Sequence, residues 1–264
     1  MPQFTDLQQF AKSALRSPAA PLNQFLELLN LRLIRGTRSQ WFNASSPEII
    51  HSKVVPGATY SPWRNDQQFI SCYNLVKNNT MVDIYRCFEL WQLARQIGNV
   101  PGDILEVGVW RGGTGCLLAK AAEGQNKTVY LADTFTGVVK AGARDTSYSG
   151  GEFKNTSLSI ARDLIESMEL ANVTLLPGIF PDDTAGSVTG SIALLHCDVD
   201  VYQSAKDIVD WAKSRIHRGG MIVFDDYGFY NTEGVTRLVN ELRECDDWLS
   251  FHNLNGHAIL VKRV

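Results

Sequence analysis

No apolar run in this sequence approaches the roughly 20 residues a membrane-spanning helix needs, so no membrane partner is expected. Neither sign of charge is in excess: 25 Lys and Arg against 28 Asp and Glu leave a formal net charge of −3. That balance gives no general electrostatic reason for a nucleic-acid partner. The five cysteines, Cys72, Cys87, Cys116, Cys197 and Cys245, are odd in number and widely spaced. No C-x-x-C pair and no Cys/His cluster of zinc spacing occurs among them, so buried, reduced thiols in a cytoplasmic protein are expected. The opening residues, Met1-Pro2-Gln3-Phe4-Thr5-Asp6, lack a basic region followed by an apolar core and do not read as a signal peptide.

What is present suits an α/β protein. At 264 residues the chain can form one large domain or two small ones. Residues 4–16 and 22–35 carry helical periodicity, with Leu22, Phe25, Leu26, Leu29 and Leu33 on one stripe. This N-terminal arm packs on its own domain or on a second copy, and a homo-oligomer through it is the expectation. Residues 36–66, with Trp41, Tyr60 and Trp63, read as an aromatic loop that either walls a site or anchors itself to the core. The division expected is 1–79 for the arm and loop and 80–264 for the main domain.

Within that domain, strands are expected at 103–109, 128–132, 173–176, 192–196, 221–224 and 258–261. Helices are expected at 81–98, capped by Thr80, then at 113–123, from Thr156-Ser157 to about 170, at 204–216 and at 233–245, with a short one near 183–188. Arg218-Gly219-Gly220 reads as a turn. Residues 138–155 have no periodicity and read as a mobile lid. Alternating strands and helices imply a mostly parallel sheet with helices on both faces, and ligands in such folds sit at the carboxyl ends of the strands. Glu106, Asp133, Asp198, Asp200, Asp225 and Asp226 all fall at or near such ends.

The stretch 103–114, Asp-Ile-Leu-Glu-Val-Gly-Val-Trp-Arg-Gly-Gly-Thr, runs from a strand through a glycine-rich turn into a helix. Thr114 stands where a phosphate-binding loop needs lysine. Trp110 stands where a dinucleotide fingerprint needs its second glycine. S-adenosylmethionine carries an ammonium and no phosphate. Glu106 is placed to pair with that ammonium, or else is a structural carboxylate, and Asp133 is placed to accept the ribose hydroxyls. Asp198, Asp225 and Asp226 come from two successive strand ends. Three converging carboxylates repel one another unless a hard divalent cation, Mg²⁺, Mn²⁺ or Ca²⁺, joins them. Asp200 is then either a general base for an acceptor hydroxyl or the cap of the helix expected from Ser204, and His196, inside an apolar strand, is either a second candidate base or a buried structural residue.

Five motifs, Glu-Val-Gly-Val-Trp-Arg-Gly-Gly at 106–113, Asp-Thr-Phe-x-Gly at 133–137, Pro-Gly-Ile-Phe-Pro-Asp at 177–182, His-x-Asp-Val-Asp-Val-Tyr at 196–202 and Asp-Asp-Tyr at 225–227, resemble those of the macrocin O-methyltransferase family. The resemblance covers roughly 80–264. It implies a class I methyltransferase (Rossmann-like) sheet of seven strands with the last antiparallel. It also implies Mg²⁺-dependent methyl transfer from S-adenosylmethionine to a hydroxyl, commonly on a deoxysugar of a natural product such as an antibiotic. On that resemblance Asp198, Asp225 and Asp226 are the metal ligands and Asp200 is the base. The donor site then comprises Thr80, Met81, Glu106, Gly108, Val109, Trp110, Asp133, Ser157, Gly178, Ile179, Phe180 and Asp198. The partner expected is a small hydroxylated acceptor. A phenol or catechol acceptor, a nicotinamide-dependent oxidoreductase and a binding protein without activity are the competing readings.

Overall fold

The computed structural model describes residues 61–229 and 231–263. The expected helices at 4–16 and 22–35, the aromatics Trp41 and Tyr60, and association through the N-terminal arm lie outside the described residues. The chain divides into two units after Val55, and the described residues belong to the second.

Seven strands form one sheet: β1 (Asp103–Val107), β2 (Val129–Asp133), β3 (Val173–Pro177), β4 (Ile192–Cys197), β5 (Ile216–Phe224), β6 (Trp248–His252) and β7 (Ala258–Lys262). Their spatial order is β3-β2-β1-β4-β5-β7-β6. Neighbours from β3 through β5 are parallel, and β7 runs antiparallel to both β5 and β6. The strand order reverses between β1 and β4, so the carboxyl ends of these two strands open the crevice where such sheets bind ligands.

Among the described residues six helices pack around the sheet: α1 (Gln67–Val76), α2 (Ile84–Gln96), α3 (Gly113–Ala121), α4 (Leu158–Ser167), α5 (Tyr202–Ala212) and α6 (Glu233–Arg243). Strand alternation sorts the core into two layers. Ile104 of β1 packs with Phe69, Leu90 and Leu117 from α1, α2 and α3. Leu105 and Val107 pack with Ile208 and Val209 of α5 and Leu238 of α6. No helix among the described residues is long and apolar enough to cross a membrane.

Several boundaries differ from the periodicity. α2 starts at Ile84, because Asp83 and not Thr80 caps it: Asp83 Oδ1 accepts from the amides of Tyr85 (2.9 Å) and Arg86 (3.1 Å). Thr80 Oγ1 accepts from Val82 N two residues on, which is a local turn. α1, whose cap Asp66 accepts from Phe69 N, is absent from the sequence reading. The Arg218-Gly219-Gly220 turn lies inside β5, where the register against β4 shifts between Ile192 and Leu194. β6 is likewise absent from the reading of spacing: only Trp248 is buried in it, so a hydrophobic run is missing. Trp63 sits in a short 3₁₀ turn and packs edge-on against Tyr85 (5.0 Å between ring centres) and Phe88 (6.1 Å) of α2.

Cys72, Cys87, Cys116 and Cys197 are buried and Cys245 is exposed. Burial pushes the Cys72 thiol up to about 12. Titration of the native protein with a thiol-specific chromophore is expected to show one fast-reacting cysteine out of the five in the sequence, and all five after denaturation.

Candidate functional site

The turn after β1 is built by close backbone approach. Gly108 has φ +94°, and a Cβ there would lie 1.6 Å from the Asp198 carbonyl oxygen, so only glycine lets the ends of β1 and β4 meet. Gly108 N donates to Ala132 O (3.0 Å), and Asp198 N donates to Val107 O (2.9 Å). Trp110 itself takes φ +49°, a left-handed conformation uncommon for a bulky residue. The turn is held from β2: Asp133 Oδ2 accepts from Val109 N (2.7 Å) and Trp110 N (2.8 Å), and Oδ1 accepts from Phe135 N (2.6 Å). Burial raises the Asp133 pKa, and these amides pull against it.

A cavity opens on this turn. Its wall includes Met81, Gly108, Trp110, Asp133, Gly178, Ile179, Phe180, Asp198 and Asp200. Nine of the residues assigned from the sequence are thus brought together. Asp225 and Asp226 lie off the wall, and so do four of the donor-site residues. Thr80 serves the turn before α2. Val109 contributes its backbone amide to Asp133. Ser157 caps α4, its Oγ accepting from Ile160 N. Glu106 is the fourth: alternation along β1 turns it away from Val107 and toward α3. It is 0 % exposed, with Oε1 2.7 Å from His196 Nδ1, while Oε2 has no hydrogen-bond partner among the described residues. Of the two readings offered, this burial beside His196 favours the structural carboxylate.

Beside the cavity, carboxylate oxygens of Asp198, Asp225 and Asp226 all lie within 4.8 Å of one another. Burial, then repulsion from Asp225 and Asp226, raises the Asp198 pKa well above the usual carboxylate range. Burial, then Asp200 and Asp225, does the same to Asp226. Asp225 goes the other way. Burial alone would raise it, but His196, His257 and Arg86 hold it well below the ordinary value. Its Oδ1 accepts from His257 Nε2 (2.9 Å), and its Oδ2 pairs with the Arg86 guanidinium. His257 is fixed in turn by Glu89 Oε2 (2.6 Å from Nδ1). His196 lies with its Nε2 3.6 Å from Asp225 Oδ1. Burial favours its neutral ring, yet Asp225 and Glu106 outweigh this and raise it to about 10.

The donor set of the three aspartates is all oxygen, and two of the three are destabilised as anions by burial and by each other. A hard divalent cation relieves that strain, so the residues fit such an ion. The cluster His196, Asp225 and His257 also places three ligand atoms within 4.8 Å of one another. There, however, the His257 N–H already spans to Asp225, so the cluster serves to hold that aspartate.

Asp200 sits at the join of cavity and carboxylates. It has φ +62°, a conformation aspartate tolerates. It caps no helix: α5 begins at Tyr202, no side chain of its N-cap Val201 caps it, and Tyr202 N donates to Asp145 Oδ1 (2.8 Å). Asp200 N donates to Asp226 Oδ2 (3.1 Å), and Asp200 Oδ1 accepts from the Tyr148 hydroxyl (2.6 Å). Burial raises its pKa to about 6, against the Tyr148 hydrogen bond and with Asp225 adding. Tyr148 lies in segment 138–155, whose lack of periodicity assigns no role to any one residue. Its signal, a lone buried tyrosine in a polar segment, becomes readable only once the loop is seen to reach β4.

Residues 72–249 match the family described as Macrocin-O-methyltransferase (TylF). Among similar proteins, the demethyldecarbamoylnovobiocin O-methyltransferase of Streptomyces niveus is 30% identical over 166 residues, 56% of this chain and 62% of that protein. The 8-demethyl-8-(2,3-dimethoxy-alpha-L-rhamnosyl)-tetracenomycin-C 4'-O-methyltransferase of Streptomyces olivaceus is 31% identical over 164 residues, with the same two shares, 56% and 62%. The match thus spans about three fifths of each of these relatives' own length. The solved structure of the O-methyltransferase NovP has a TM-score of 0.58 and 25% identity, covering 70% of this chain and 83% of that one.

Proposed function

This chain belongs to the macrocin O-methyltransferase (TylF) family, and from that premise we propose that it moves a methyl group from S-adenosylmethionine to a hydroxyl on the sugar of a glycosylated natural product. What supports the reading most is one juxtaposition: Asp198 and Asp200 line the same cavity as Gly108 and Asp133, while Asp198 also belongs to the carboxylate cluster. A relative named for a rhamnosyl 4'-O-methylation favours a sugar acceptor over a phenol.

The donor would lie on the glycine turn, between Met81 and Trp110 on one side and Ile179 and Phe180 on the other, and it supplies an electrophilic methyl group on sulfur. Asp133 holds the turn in place with one oxygen and keeps spare acceptor capacity for hydroxyls. Asp198, Asp225 and Asp226 would hold Mg²⁺, which supplies Lewis acidity toward the acceptor oxygen. Arg86 and His257 keep Asp225 ionised and fixed in orientation, which is the part such outer partners play at metal sites. Asp200 removes the acceptor's proton. Its shifted pKa of about 6 brings it nearer the working pH, where a general base is most effective. Phe180 and Val107 present apolar surface to the cavity and keep water from competing for the methyl group.

The test is a radiolabelled methyl-transfer assay over a panel of deoxyhexosyl glycosides and catechols with Mg²⁺ present. Transfer to a glycoside is expected. Transfer confined to catechols would move the acceptor class, and no transfer with S-adenosylmethionine bound would end the reading. In the same assay Asp200→Asn is expected to lower kcat by about 10²–10⁴-fold with unchanged donor affinity.

A further inference from the structure

We propose that Tyr148 is a positioning residue for Asp200: its hydroxyl holds one carboxylate oxygen so that the other faces the cavity. The proposal rests on the reading of Asp200 as the base. Of the two Asp200 oxygens, Oδ1 accepts from Tyr148 at 2.6 Å, and Oδ2 has no hydrogen-bond partner among the described residues. The direction of the chain is fixed by chemistry. Asn231 Nδ2, 3.4 Å from the Tyr148 oxygen, can only donate, and a carboxylate can only accept. The phenol proton therefore points at Asp200. During reaction the acceptor's proton goes to Oδ2, and Tyr148 keeps its own.

Segment 138–155 has no helix or strand, yet it is anchored at several points. Buried Asp145 accepts from Gly142 N (3.0 Å) inside the segment and from Tyr202 N (2.8 Å), two residues beyond Asp200. Gly234 at the start of α6 leaves room for this: a Cβ there would lie 2.0 Å from Asp145 Oδ1. Ser204 Oγ donates to Val139 O (2.8 Å), and Lys140 pairs with Asp182 (2.8 Å) and Asp207 (2.7 Å). These contacts tie the loop to the element that carries Asp200, so Tyr148 and Asp200 are set in one frame. Tyr148 is 8 % exposed, and its ring packs beside Phe153 (6.2 Å between centres), which lines the cavity. Removing the hydroxyl leaves that packing in place.

The experiment is a double-mutant cycle of Tyr148→Phe and Asp200→Asn on the full chain. It is read as methyl transfer from S-adenosylmethionine to methyl α-L-rhamnopyranoside, with donor affinity measured alongside by calorimetry. Tyr148→Phe is expected to lower kcat about 10–100-fold, a part of what a positioned base supplies, with donor affinity unchanged. In the Asp200→Asn background the same change is expected to cost less than about twofold, because a residue acting only through Asp200 has nothing left to position. Equal losses in both backgrounds, or no loss in the wild type, would overturn the role of Tyr148 and leave Asp200 as the base. Full activity of Asp200→Asn would instead remove the base reading itself. A crystal structure of Tyr148→Phe decides independently of turnover: a displaced Asp200 carboxylate is expected, and an unmoved one would overturn the proposal. If Tyr148→Phe does not fold, Asn231→Ala, which frees the phenol from behind, is expected to lower kcat a few-fold only where Asp200 is present.

Discussion

Gly108→Ala is expected to abolish donor binding and to destabilise the domain by more than about 4 kcal/mol, the range reached when a buried backbone approach is blocked. Two costs combine. The residue has φ +94°, and its Cβ would be driven to 1.6 Å from the Asp198 carbonyl. The clash is backbone on backbone, so no rotamer relieves it. Relief requires β1 and β4 to part where Val107 pairs with Cys197, which moves Asp198 out of both the cavity and the carboxylate cluster. Gly124→Ala separates the two costs: it also has positive φ (+79°) but no atom within 4 Å of a Cβ. That variant should lose only about 1 kcal/mol and bind the donor normally. Urea unfolding and calorimetry with S-adenosylhomocysteine measure both. A Gly108→Ala protein with unchanged donor affinity would mean the turn does not form the donor site.

Asp198→Asn is expected to separate activity from stability. Methyl transfer should fall by several kcal/mol of lost transition-state stabilisation, on the order of 10³-fold, and Mn²⁺ affinity should fall with it. The metal-free protein, by contrast, should become more stable, because one of three mutually repelling carboxylates is neutralised. The pH dependence carries the same sign. Asp198, Asp226, Asp200 and Asp133 all have folded pKa values above the unfolded 3.8. The native state therefore binds more protons than the unfolded chain, and stability falls as pH rises above about 4. Asp225, held low, is ionised in both states over that range, and His196, raised to about 10, is protonated in both states below the unfolded 6.5, so it adds no slope there and loses its stabilising contribution only above that pH. Chelated wild-type protein should thus unfold at lower urea at pH 6.5 than at pH 4.5, and Asp198→Asn should show a shallower slope. Equal urea midpoints would show that the carboxylates are not strained without a cation.

Much of this was legible in the chain. The strand-end acids were readable because strands alternating with helices in sequence dictate a parallel sheet, and a parallel sheet collects its carboxyl ends on one edge. Trp110 and Thr114 excluded phosphate ligands by what they are. The position of Glu106 off the cavity wall was not legible, because the side a strand residue faces depends on where the alternation along the strand begins. One residue's parity sent it to α3 and His196, although it immediately precedes two residues of the donor wall. The capping alternative for Asp200 was removed only by a long-range contact, Asp145 onto Tyr202 N, which local spacing cannot reveal. The same limit hid Tyr148. The loop that carries it lacks periodicity because it is held by side chain to backbone bonds and ion pairs and not by a repeating apolar face. β6 and α1 escaped for a simpler reason: their buried residues are few and their caps, such as Asp66, look like ordinary loop residues.

The central claim is that the glycine turn and the aspartate cluster are two halves of one site, meeting at Asp198. Paramagnetic broadening measures this directly: S-adenosylmethionine labelled with ¹³C in its methyl group is bound to the protein and Mn²⁺ is added to one equivalent. The account predicts that the methyl signal broadens beyond detection in the wild type and stays sharp in Asp198→Asn. A signal that stays sharp in wild-type protein with Mn²⁺ bound would contradict it.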